Sequence, residues 1–150
     1  MRMRFGVDDE KAFQERSDEL LADYAGWLQR QSPLGTDAGD ARLALDWKWG
    51  YAGGDLGTWT VADLDEFLLE WCPRKLSMPP DECADFPASI GVFCMFLAAR
   101  GLLSAGSDRP KVLHRHCERV SRAFVRKMSD PANFGMAKGL LGQAGGLMSG

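Results

Sequence analysis

A chain of 150 residues with 45% hydrophobic content and a net charge of −3 can bury a core as one domain without disulfides or metal, and its net acidity weighs against binding driven chiefly by phosphate neutralisation. No run of about 18 apolar residues marks a membrane helix, and MRMRFGVDDEK has no apolar segment followed by a cleavage site, so the expected setting is cytoplasmic, with no membrane partner. The charge is lopsided: residues 1–70 hold 15 acids against 7 Lys or Arg, net −8, and residues 71–150 hold 6 against 11, net +5. Such a division suits either a partner-facing surface or two halves that attract each other within the fold or across a dimer.

From Asp8 to Arg30 the chain is rich in helix formers. Phe13, Leu20, Leu21, Tyr24, Trp27 and Leu28 form a spaced apolar stripe, which predicts a long first helix with an acidic start. QSPLGTDAGD, residues 31–40, reads as a loop. In LALDWKWGY, Leu43, Leu45, Trp47, Trp49 and Tyr51 alternate with smaller or polar residues, and AGGD supplies a turn before LGTWT. That period predicts a short β-hairpin near residues 43–60, with a helix ending near Lys48 as the alternative.

Thr60 is placed to cap the next helix, with Asp63 completing a capping box and Trp59 and Leu64 at the spacing of a hydrophobic staple. Leu64, Phe67, Leu68 and Trp71 then mark the packed side, and Asp63, Glu66 and Glu70 a polar one. Pro73 is expected to end this helix at about Trp71, leaving Arg74 and Lys75 beside the negative end of its dipole. LSMPPDECADF reads as a connector in which Pro80 opens at most a short turn. Pro87 then starts a central helix to about Arg100, apolar around much of its circumference through Ile90, Val92, Phe93, Cys94, Met95, Phe96 and Leu97, with Gly101 as its stop. SAGSD ends in Asp108 as the N-cap of a helix over PKVLHRHCERVSRAFVRKM. Asp130 and Pro131 repeat the cap-then-proline start for a last helix through about Leu141, and residues 142–150 are expected to form a flexible tail. Together these elements predict an all-α fold: one helical domain over residues 1–150, built as a compact bundle of five or six helices with the short hairpin attached.

Few of these residues carry recognisable chemistry. His114, His116 and Cys117 in HRHC invite a metal reading, but no C-x-x-C or H-E-x-x-H spacing occurs, and Cys117 reads as core with His114 at its boundary. No nucleophile elbow is present, and GYAGGDLG lacks the Lys and Ser/Thr of a phosphate-binding loop. Cys72, Cys83, Cys94 and Cys117 read as buried thiols in a reducing compartment. No catalytic residue, cofactor or metal ligand is assigned, and these absences point away from an enzyme, a metal- or thiol-dependent one being the remaining version.

One constellation stands out. At about 100° per residue, Lys111, Arg115, Arg119, Arg122 and Arg126 share a narrow stripe, opposite Leu113, Cys117, Val120, Phe124 and Met128. An arginine stripe can clamp carboxylates, follow phosphates or simply face solvent.

WTVADLDEFLLEWCPRK, the apolar run ASIGVFCMFLAARGLL and MSDPANFGMAKGLL resemble a group of cytosolic proteins of high-GC actinobacteria, over roughly residues 43–141. The resemblance implies compartment and a stand-alone or adaptor role, and it brings no activity with it. The function expected from the residues is a non-catalytic interaction or adaptor module. Its partner-binding residues are the five cations above with Asp63, Glu66 and Glu70, and its partner is an acidic protein or a second copy. The alternative is a nucleic-acid-binding regulator, in which FLAARGLLSAGSDRPKVLHRH reads as helix, turn, helix.

Overall fold

The computed structural model describes residues 3–31 and 38–130. Five helical elements follow one another there: α1 (Glu10–Gln31), α2 (Gly39–Tyr51), α3, α4 (Pro80–Ala99) and α5 (Pro110–Ser129), where α3 is a continuous run of Val61–Asp65, Glu66–Trp71 and Cys72–Lys75. The described residues form no strand beyond an isolated antiparallel bridge between Arg4 and Asp55, so the fold is all-α. The predicted last helix and tail lie outside the described residues.

The hairpin expected near residues 43–60 is replaced by α2. Ala41, Ala44, Leu45, Trp47 and Lys48 are buried and recur at helical spacing, so small residues of the alternating stretch share the packed face with large ones. Lys48, a charge inside that face, further disguised the period. The AGGD turn does form at the end of α2, where Gly54 has φ +81 and a Cβ on it would lie 1.9 Å from the carbonyl oxygen of Phe5. That closeness lets the chain start pair with the turn, Phe5 N–H donating to Gly54 O at 2.8 Å and Leu56 N–H to Met3 O at 2.7 Å.

Two prolines also fail to break helices. Pro73 was expected to end α3 at Trp71, but the helix continues to Lys75 because Glu66–Trp71 is wound as a π-helix, with Cys72 N–H donating to Phe67 O, five residues back. The wider turn relieves the clash between the proline ring and the carbonyl four residues earlier. Likewise α4 begins at Pro80 rather than Pro87: the first turn holds Asp81 and Glu82 against the positive end of the dipole, and Pro87 sits inside the helix. Burial of Cys83 and Phe86 in this added turn offsets the hydrogen bond that Pro87 cannot make.

Ile90, Phe93, Cys94, Phe96 and Leu97 of α4 are fully buried. Tyr24 of α1 meets Phe93 and Phe96 at centroid distances of 5.1 and 5.0 Å. On the other side α5 runs antiparallel to α4: Phe86 stacks on Phe124 at 5.5 Å, and Gly91 faces His114 and Cys117 so closely that a Cβ would lie 3.0 Å from His114 Cα. By length and composition Asp81–Ala99 could cross a membrane, although no such run was expected; 56% of it is buried inside the fold, the state of a core helix. Asp108 does not cap α5 as expected; Arg109 occupies that position, and the Asp108 carboxylate accepts from Val61 N at 2.8 Å, joining the starts of α3 and α5.

The capping box and staple form as read. Thr60 Oγ1 accepts from Asp63 N at 3.1 Å, Asp63 Oδ2 accepts from Thr60 N at 3.0 Å, and Trp59 and Leu64 are both buried. Thr60→Ala should therefore cost about 1 kcal/mol, one lost cap. Gly54→Ala, forced into a left-handed conformation and into the Phe5 carbonyl, should cost at least about 2 kcal/mol. Urea melts of the two variants check this order.

Candidate interaction surface

The sequence divides α5 cleanly, and the fold keeps the division. Leu113, Cys117, Val120, Phe124 and Met128 are buried, and Lys111, Arg115, Arg119, Arg122 and Arg126 are all exposed. None of the five has a carboxylate within ion-pair distance among the described residues. The stripe runs about 22 Å along the helix at 1.5 Å per residue. Glu118, the one acid of α5, lies 3.8 Å from His114 instead.

Between α4 and the end of this stripe is a shallow groove of about 410 Å³, lined by Ala84, Ser121, Arg122, Val125 and Arg126. Ser121 Oγ donates to Cys117 O at 3.0 Å, so its hydroxyl is already satisfied and the floor is effectively apolar, with two guanidinium groups at its rim. Sequence reasoning found the arginines and missed the groove. Its only signal was a small residue, Ala84, which acquires meaning once α4 and α5 are known to run antiparallel.

The acids expected on α3 do not stay together. Asp63 turns inward: besides its capping bond it accepts from Lys48 Nζ at 3.1 Å, with side-chain exposures of 3% for Lys48 and 27% for Asp63. Lys48 Nζ also lies 4.6 Å from the ring centroid of Trp59 and 5.6 Å from that of Trp47, so its charge is held by a carboxylate and two aromatic faces. Asp63 thus leaves the outward acidic face on which it was read. Glu66 and Glu70 remain exposed, one wide turn apart. Tyr51 of α2 is 60% exposed, its ring 5.6 Å from the half-buried ring of Trp71, which stacks on Phe67 at 5.7 Å. The indole Nε1 of Trp71 is buried with no hydrogen-bond partner among the described residues.

Other acids of the first half are paired with side chains of the same chain. Asp23 receives two bonds from Arg100 at 2.9 Å, and this guanidinium holds its carboxyl below the usual range. Arg42 pairs with Asp18, and Arg16 with Glu19 at 3.2 Å. His116 Nε2 lies 2.7 Å from Asp65 Oδ1, tying α5 to α3. His114 and His116 therefore have separate carboxylate partners, and among the described residues no three of His, Cys, Asp and Glu are grouped to hold a metal ion. Comparison with protein-family models, curated proteins and solved structures gives no match to this chain.

Cys72, Cys83, Cys94 and Cys117 are free and buried. Burial pushes the Cys117 thiol up to about 12 and the Cys94 thiol well above its ordinary range, so neither supplies a thiolate near neutral pH. In the native protein at pH near 8, none of the four thiols should react with a disulfide reagent such as DTNB over minutes, and all four should react once the chain is unfolded. A fast native thiol would mean that the core opens at that cysteine.

Proposed function

We propose that this chain is a non-catalytic protein-interaction module that binds acidic protein through the outer face of α5. The observation that carries the reading is the combination of five exposed cations lacking carboxylate partners among the described residues with an apolar groove beside two of them. Arginine offers a planar fork to carboxylates, and exposed ion pairs are worth less than about 1 kcal/mol each, so useful affinity needs the apolar groove as well. The proposed setting is cytoplasmic, and the proposed architecture is a bundle of five or six helices, the sixth being the one that the sequence predicts over residues 131–141.

Protein is favoured over nucleic acid by the way α4 and α5 pair. A helix-turn-helix sets its second helix at about 90–120° to the first so that it projects into a groove. Here α5 lies antiparallel along α4, in contact from Phe86–Phe124 to Gly91–His114.

Poly-L-glutamate and mixed-sequence duplex DNA, titrated in separate calorimetric runs at low salt, test the reading. Binding to poly-L-glutamate should exceed binding to DNA and fall at least about tenfold with Arg122→Glu/Arg126→Glu, while the thermal midpoint barely moves. Tighter binding to DNA, lost in the same variant, would replace this reading with the nucleic-acid one.

A further inference from the structure

We infer that the groove at Arg122 and Arg126 receives Tyr51 of a second copy of this chain, with Glu66 and Glu70 of that copy meeting the two arginines. This rests on the reading of α5 as a protein-docking face and names its partner. The two surfaces are complementary in charge. One carries an exposed aromatic ring, Tyr51, tilted against Trp71, and two exposed carboxylates, Glu66 and Glu70, on the helix that holds Trp71. The other is a groove of about 410 Å³ with Ala84 and Val125 in its lining and two guanidinium groups at its edge.

A guanidinium is the cation best suited to this double role, because its face stacks on an aromatic ring while its edge bonds a carboxylate. Tyrosine and arginine are also the residue types that dominate the energetic centres of protein interfaces. Tyr51, Glu66 and Glu70 are exposed in the same protomer in which Arg122 and Arg126 are exposed, so the two surfaces do not fill each other within one chain. Pairing between copies would engage both surfaces at once. Arranged about a two-fold axis the contact is made twice, and arranged head to tail it is made once per copy.

Charge exchange between two variants tests this by sedimentation velocity across micromolar to millimolar protein. The first variant is Glu66→Arg/Glu70→Arg and the second Arg122→Glu/Arg126→Glu. The wild type should associate reversibly and less so in salt. Each variant alone presents like charges on both surfaces and should be monomeric. Their equimolar mixture restores complementary surfaces and should associate again, and Tyr51→Ala alone should weaken association at least about tenfold. Thermal melts accompany every variant; if a reversed one does not fold, the Gln versions of the same pairs take its place, and each should weaken association. A wild type that is monomeric throughout, or a mixture of folded variants that stays monomeric, overturns the inference. If the monomeric wild type still binds poly-L-glutamate through Arg122 and Arg126, the docking face stands and its partner is another acidic protein. If poly-L-glutamate binding survives the arginine reversal, the reading of α5 has itself failed.

Discussion

Everything else in this fold is arranged around α4, which leaves only the one face that carries Ala84, Asp85 and Ala99 to water. Ile90, Phe93, Cys94, Phe96 and Leu97 point in several directions from α4 and are all fully buried, so neighbours are needed around most of its circumference. Tyr24 brings α1 to one side, and Gly91, by having no Cβ, lets α5 approach at backbone distance on another. Once α5 is fixed against α4 by Gly91, Phe86 and Phe124, its rotation is fixed too. The buried row Leu113, Cys117, Val120, Phe124 and Met128 can face inward in only one way, and the arginines must then face out. The cationic surface is thus a consequence of core packing as much as of composition.

A second constraint joins α2 to α3. The Asp63 carboxylate both closes the capping box and holds Lys48, which lies among Trp47 and Trp59 with only 3% of its side chain exposed. Removing one partner of such a pair leaves an uncompensated buried charge, which costs far more than the pair itself contributes. The neighbouring loops are held by the same means: Thr58 Oγ1 lies 2.7 Å from both Asp55 Oδ2 and Ser104 Oγ, and Ser107 Oγ accepts from Trp59 N at 2.9 Å. These bonds keep the start of α3 in place beside α5, and with it the exposed row of Glu66 and Glu70.

The lopsided charge of the sequence resolves into two populations. Some acids neutralise cations across the fold, as in Asp23 with Arg100 and Asp63 with Lys48. Among the described residues the α5 stripe stays out of this exchange. The first population holds parts of the fold together, and the α5 cations face solvent. What distinguishes the outward surface is the groove at its end, because charge alone on a solvated face has little affinity to offer.

The sequence by itself determined whatever depends on neighbours a few residues apart. The capping box of Thr60 and Asp63, the staple of Trp59 and Leu64, the turn at Gly53 and Gly54 and the two faces of α5 were all legible, because each is set by spacing within a turn or two of chain. Tertiary structure alone decided the rest. Leu43–Tyr51 is helical rather than stranded because Ala41, Ala44 and a charged Lys48 find a packed surface, and alternation along the chain carries no record of what stands opposite. Pro73 and Pro87 sit inside helices because burial and a widened turn outweigh a local preference. Asp63 faces inward because Lys48, on another helix, is there to meet it, and the groove exists because Ala84 comes to lie beside Val125. Each of these turns on a contact between residues distant in sequence, and the free energy of such a contact belongs to the pair and to neither residue's position in the chain.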